Sequence, residues 1–276
     1  MTTAPLSRLA LPLPATWLAL LCLGALSGLF PVMASASAAG TQVDGSEELA
    51  KDALKRFDDA LSDKHVRKIE ESLGDFDLVY EKVGEKTRKK FHKAYGKLFK
   101  LEPRQEERFD GTDPRAELLG AYQLAAGTVF DKDGGREILL SALKLGHIKR
   151  WPDATALFVE ALGHRIEADN VKVLVGYLDA EDSGTVRAAA EGLGRFAEHD
   201  IKLRRQAVKP LVSALVRLDA AARKEAKKGK EDEAQEFLLR VEGSFYEALL
   251  ELTRQRFETA DEWQAWFAEN GAKDRW

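Results

Sequence analysis

Histidine is the residue type in this sequence best suited to binding a metal ion or transferring protons near neutral pH. The chain has five histidines, and no two of them are four residues apart, as a metal-binding pair on one helix would be. A zinc site needs three or four ligands that converge on one point. The spacing therefore predicts no metal site and favours surface or cap positions for His65, His92, His147, His164 and His199.

The patterns for covalent catalysis and phosphate binding are also absent from the sequence. It contains no Gly-x-Ser-x-Gly nucleophile turn, and Gly134-Gly135 lacks the Gly-Lys-Ser/Thr ending of a phosphate-binding loop. Asp and Glu number 46, so two carboxylates could meet in a cleft as in glycoside hydrolases, but the sequence does not indicate which pair. We expect a non-catalytic chain without cofactors.

The first 38 residues differ in composition from the rest of the chain. Arg8 is their only charge, and an apolar run follows it to Val32. Small residues then permit cleavage after Ala36 or Ala38, which is typical of a secretory signal peptide. The run is also about long enough to span a bilayer, so an uncleaved anchor is the alternative. We expect export, to the periplasm or out of the cell.

Residues 39–276 carry the pattern of an all-α protein. Apolar residues recur at helical spacing, as in Phe91, Tyr95 and Leu98, and no segment alternates apolar with polar residues over the length of a strand. Asp113-Pro114 and Trp151-Pro152 look like helix starts. Thr259 and Glu262 form a capping box. The only cysteine is Cys22, so a chain cleaved at Ala36 or Ala38 would have no disulfides.

Two short patterns repeat in the middle of the chain. Residues 139–143 resemble residues 174–178 and 211–215, at spacings of 35 and 37 residues. Residues 160–163 resemble residues 191–194 at an offset of 31 residues. Interleaved helices at this period are typical of a helical solenoid, in which each helix pair is buried by the next.

The domain organisation follows from these patterns. We expect a signal peptide at 1–38, an irregular helical extension at 39–110 and a repeat array with a C-terminal cap at 111–276. The lysine-rich segment 223–236 enlarges one repeat interval, as an exposed loop or an extended helix end would. Apart from it, charge looks evenly mixed along the chain.

Residues 182–194 resemble the first helix of a HEAT repeat, through Val186-Arg187, Ala190 and Leu193-Gly194. The second helix of that pair would be residues 210–218. The resemblance is good for 182–218 and fair for 115–181. Trp263-Gln264-Ala265-Trp266 also looks like the last helix of several exported bacterial HEAT proteins. The resemblance implies an α-α superhelix (a HEAT-like solenoid) that holds a protein partner.

Two groups of residues are candidates for partner binding. Trp263 and Trp266 share one helix face, where they could form a binding hot spot or simply close the end of the stack. Arg187, Arg204 and Arg205 surround the best repeat, where they could recognise an acidic partner or only solvate their helices.

We therefore predict an exported scaffold or recognition module that binds a protein. The formal net charge of −4 argues against a nucleic-acid partner. The membrane would be contacted only through the first segment, if that is not cleaved. Two alternatives stay open: a structural component of the cell envelope, and an enzyme or ligand carrier with a polar cleft, since some HEAT-like proteins act on bilin chromophores.

Overall fold

The structure, a computed structural model, describes residues 39–103, 113–227 and 233–273. In these residues the chain forms α-helices, short turns and one 3-10 turn at Arg195–Glu198, and no β-strand. The all-α prediction is thus confirmed, whereas the predicted signal peptide lies outside the described residues. The helices are α1 (Ala39–Ser62), α2 (Val66–Tyr80), α3 (Glu85–Leu98), α4 (Pro114–Val129), α5 (Gly135–Leu143), α6 (Gly146–Lys149), α7 (Pro152–His164), α8 (Asn170–Tyr177), α9 (Ser183–Gly194), α10 (Ile201–Ala226), α11 (Glu233–Thr253) and α12 (Ala260–Asn270).

Local capping chemistry fixes several helix starts. The Asp113 side chain accepts a hydrogen bond from the backbone N–H of Arg115 at 2.8 Å, and Pro114 occupies the first position of α4. Thr259 and Glu262 form the predicted capping box at the start of α12. These side chains satisfy amide groups that the first helical turn leaves without partners. The predicted starts of α4, α7 and α12 are confirmed.

Helix α10 differs from the prediction. Pro210 lies inside this 26-residue helix rather than at the start of a shorter one. A proline in a helix interior removes one backbone hydrogen bond and crowds the preceding turn. Leu203 and Val208 before the proline and Leu211 and Leu215 after it are all buried. Apolar packing of the residues on both sides of Pro210 therefore stabilises an uninterrupted helix.

Aromatic side chains link different helices in the core. Phe76 of α2 stacks on Phe91 of α3 at a ring-centroid distance of 4.5 Å. Further along, Phe99 meets Phe158 of α7 edge-on at 4.7 Å. Such pairs stabilise a core beyond the area that they bury.

Helix packing follows the order of the chain. In one series α2 packs on α4, α4 on α7, α7 on α9 and α9 on α11. In a second series α1 packs on α3, α3 on α5, α8 on α10 and α10 on α12. Helices such as α1 and α2, α7 and α8, and α10 and α11 join the two series. The described residues from Ala39 onward form one compact unit in this way.

The repeated Glu-x-Leu-Gly pattern lies at the closest helix contacts. A Cβ atom added to Gly163 of α7 would lie 2.7 Å from Cα of Gly192 in α9. One added to Gly194 of α9 would lie 3.0 Å from Cα of Ala248 in α11. Residues 247–249 are a weaker copy of the same pattern. The fourth residue of one copy thus meets the second residue of the next copy in both places. We call these contacts the glycine seam.

Gly163→Ala is expected to destabilise the fold by about 1–3 kcal/mol, because the added methyl group forces α7 and α9 apart. Gly243→Ala in α11 is the matched control, since its Cβ would meet nothing within 4 Å. The control is expected to gain about 0.5–1 kcal/mol from the lost flexibility of glycine. Urea unfolding measures both. Equal stabilities for the two variants would contradict the seam.

A partly buried hydrogen-bond network joins the turn after α4 to the turn after α7. Nη1 of Arg165 donates to the carbonyl oxygens of Phe130 and Lys132 at 2.6 and 2.7 Å. Asn170 is fully buried and donates from Nδ2 to the carbonyl of Arg165 at 2.9 Å. Nε of Arg136 donates to Asn170 Oδ1 at 2.7 Å. These bonds hold residues 130–132, the turn after α4, in place.

Candidate functional site

A groove of about 740 Å³ runs along the exposed face of α4. Gly120, Leu124 and Gly127 form its floor. They are four and three residues apart and therefore lie on one side of the helix. Residues from α2 and from the turn after α4 complete its walls. The groove, called here the α4 groove, is lined by Asp77, Gly120, Gln123, Leu124, Gly127, Thr128, Asp131 and Lys132.

Two glycines two helical turns apart keep the floor of the α4 groove open. A Cβ atom on Gly127 would meet nothing within 4 Å, and one on Gly120 would meet only the Glu70 carboxylate, at 3.3 Å. Leu124 lies between the glycines and is 41% exposed. Large apolar side chains left in water next to a depression are typical of a binding surface.

The charges at one end of the α4 groove are unbalanced. Nζ of Lys132 lies 3.5 Å from Asp131 and 3.6 Å from Glu81. The carboxylate of Asp77 is 4.0 Å from the same ammonium. The Lys132 side chain is 14% exposed, whereas the three carboxylates are each more than half exposed. Glu81 also lies 3.7 Å from Nη2 of Arg88. Two cations thus face three solvated anions, and this end keeps a net negative charge.

A tyrosine–histidine pair supports this end from below. Tyr80 Oη and His92 Nε2 share a hydrogen bond of 2.7 Å that joins α2 to α3. Burial raises the pKa of the Tyr80 phenol and lowers the pKa of the His92 imidazole, so both are neutral at pH 7. Lys132 Nζ lies 5.2 Å from the centre of the Tyr80 ring, which helps to hold this cation in place. The pair supports the groove. Its hydrogen bond occupies Nε2 of the His92 imidazole.

Tyr95 lies under the same end of the α4 groove. Its side chain is fully buried, and its hydroxyl has no hydrogen-bond partner among the described residues. Burial, and then the nearby carboxylates of Asp77 and Asp131, raise the pKa of this phenol. The phenol of Tyr95 is therefore neutral at pH 7.

The structure gives the two predicted tryptophans different positions. Trp263 is fully buried, and its ring meets Phe257 edge-on at 4.9 Å. Trp266 is partly buried and packs edge-on against Trp263 at 5.8 Å. Their helix, α12, packs on α10. Trp263 is thus a core residue of the C-terminal end, and Trp266 is the one that keeps an exposed part.

The three predicted arginines also differ in their surroundings. Arg187 is exposed on α9. Arg204 is half-buried and donates from Nη1 to the carbonyl of Leu252 at 2.9 Å, which ties α10 to the end of α11. Arg205 is half-buried as well. None of these residues, and neither tryptophan, lines the α4 groove.

Sequence reasoning missed the α4 groove. One signal was present, because Gly120, Leu124 and Gly127 share one face of a helix whose start was predicted. A helix that places glycines on an exposed face loses stability relative to alanine, and such positions often have a packing or functional reason. Asp77 and Asp131 carried no such signal among the other acidic residues of the chain.

No family model, curated protein or solved structure matches this chain. Within the described residues, no cluster of three or more His, Cys, Asp or Glu side chains could hold a metal ion. In the same part of the chain, no helix is both long and apolar enough to cross a membrane.

Proposed function

We propose that residues 39–276 form a HEAT-like α-α superhelix that acts as an exported, non-catalytic recognition module for a protein partner. The two packing series and the glycine seam support the repeat architecture. In such arrays each pair of helices is buried by the next pair, and the surface that results is long and open to a partner. Export rests on the composition of the first 38 residues.

The partner binds in the α4 groove in this proposal. The observation that carries it is the open floor around Gly127 with the exposed side chain of Leu124, next to an end with three exposed carboxylates. A segment with an apolar residue followed by a basic one complements both features. The apolar residue would cover Leu124, and the basic residue would meet Asp77 and Asp131.

A crosslinking pull-down from the cell envelope tests the proposal with a groove-filling variant. Gly127→Leu places a side chain in the groove, where the added Cβ meets no atom within 4 Å. Gly243→Leu is the matched control, at an exposed and equally open helical position on α11. We expect one or a few stoichiometric proteins with the wild type and the control, and at least a tenfold loss with Gly127→Leu.

Two results would overturn the proposal. Equal capture by all three chains would place the contact away from the α4 groove. An empty eluate from a wild-type chain with a normal thermal melt would remove the support for a protein partner and favour a small ligand. Circular dichroism melts of the three chains show whether each one is folded.

A further inference from the structure

Helix α3 carries a line of lysines on its exposed side. Lys86, Lys90, Lys93 and Lys97 follow one another at alternating steps of four and three residues, and Lys100 continues the pattern in the turn after the helix. Such steps keep all five on one face of a helix. All five are exposed. At 1.5 Å per residue the line is about 21 Å long. We call these five residues the lysine stripe.

Most of the lysine stripe forms no close ion pair within the described residues. Nζ of Lys97 lies 2.7 Å from Asp58 of α1. The other four lysines of the stripe form no ion pair with any described residue. Like charges three or four residues apart on a helix repel each other and destabilise it. The even mixing of charge expected from the sequence does not hold on α3, which has six basic residues and one acidic one.

Tertiary packing holds α3 in place in spite of this repulsion. Phe91, Tyr95 and Leu98 on its opposite side are fully buried. Arg88, outside the stripe, donates from Nε to the carbonyl of Tyr80 at 3.1 Å. The stripe is therefore presented on a rigid support, so a ligand would not have to order the helix when it binds.

The shape of the lysine stripe favours a linear anion over a planar one. The lysines form one line, and carboxylates of α1 border it: Asp58 contacts Lys97, and Glu47 binds the backbone N–H of Gly84 at the start of α3. A flat anionic membrane would meet those carboxylates, whereas a polymer strand can follow the lysines. Helix α3 also exposes no large apolar side chain that could enter a bilayer.

The residue types of the stripe argue against nucleic acid. Single-stranded nucleic acids are bound by exposed aromatic side chains that stack on the bases. The aromatic residues of α3, Phe91 and Tyr95, are fully buried. Sequence-specific recognition of a duplex relies mainly on arginine or amide side chains at the base edges, and the stripe consists of lysines.

We propose that the lysine stripe binds a linear anionic polysaccharide, whose carboxylate or sulfate groups pair with successive lysines along one strand. The site is separate from the α4 groove and does not depend on the proposed function. Because exposed ion pairs are screened by salt, binding is expected to weaken steeply between about 50 and 200 mM salt.

The test compares polysaccharide binding by residues 39–276 with two triple variants. The stripe variant carries Lys86→Gln, Lys90→Gln and Lys93→Gln. The control carries the same change at Lys144, Lys149 and Lys172, which are exposed on three other segments. The probes are polygalacturonate for carboxylates, dextran sulfate for sulfates and neutral dextran. We expect at least tenfold weaker binding of one or both polyanions by the stripe variant, and less than threefold by the control.

The thermal melt of the stripe variant separates binding from folding. Removing the repulsion on α3 is expected to leave its melting temperature equal to or above that of the wild type. Equal losses in the two triple variants, or no binding of either polyanion at low salt, would overturn the proposal. So would binding of duplex DNA or of anionic vesicles without binding of polysaccharide. Gly127→Leu is expected to bind the polyanions normally, so this test and the pull-down can fail independently.

Discussion

Leu193→Asp is expected to leave residues 39–276 largely unfolded. Leu193 is fully buried in α9, which packs on both α7 and α11. Truncating such a leucine to alanine costs about 2–5 kcal/mol, and an unpaired carboxylate in the core adds several kcal/mol more. The sum is comparable to the about 5–15 kcal/mol that stabilises a whole domain. Far-ultraviolet circular dichroism at 25 °C and a thermal melt would show the loss.

Arg187→Asp is the control for this experiment, on the same helix. Arg187 is exposed, and the change is expected to alter stability by about 0.5 kcal/mol or less. A Leu193→Asp chain that melts like the wild type would show that this face of α9 does not lie in the core. Similar losses in both variants would point instead to a general sensitivity of α9 to added negative charge.

Trp263→Ala is expected to have the second-largest effect, a loss of about 3–5 kcal/mol, because it empties a fully buried site next to Phe257. In a chain of this size that corresponds to a melting temperature lower by roughly 6–20 °C. Calorimetry or a dye-based melt measures the shift. Gln264→Ala, exposed between the two tryptophans, is expected to melt normally.

Trp266→Ala separates the two interpretations of the C-terminal tryptophans. If they only close the end of the helical array, this variant loses less stability than Trp263→Ala and captures the same proteins in the pull-down. A normal melt with loss of the captured protein would assign Trp266 to the binding surface. Trp266 is suited to this test because it is partly exposed. A change at Trp263 would mainly destabilise the core and could not separate the two interpretations.

Helix existence and several helix starts could be predicted because they depend on neighbouring residues. Asp113 and Pro114 start α4, and Thr259 and Glu262 start α12, through hydrogen bonds that span two or three residues. The interior position of Pro210 could not be predicted in the same way. Its tolerance depends on contacts that α10 makes with α8, α11 and α12, and those contacts are set by the whole array.

The binding surfaces were harder to predict, for two different reasons. The α4 groove brings Asp77 next to Asp131, which is 54 residues further along the chain, and nothing in the local sequence relates the two. The lysine stripe is local and was overlooked, because its lysines are separated in the sequence by residues of the opposite, buried face, such as Phe91 and Tyr95. The alternating spacings of four and three residues place these lysines on one line only when the segment is an α-helix.

The packing of each helix on helices close to it in sequence also has a consequence for how the molecule opens. Amide hydrogen exchange measures the free energy of such local openings. Helix α9 packs on both α7 and α11, so its backbone is exposed only when its neighbours separate. Helix α12 packs mainly on α10 and can detach while the rest stays folded. Exchange should therefore be slowest in α7 and α9 and become faster towards α12, and the chain would unravel from its end before its middle.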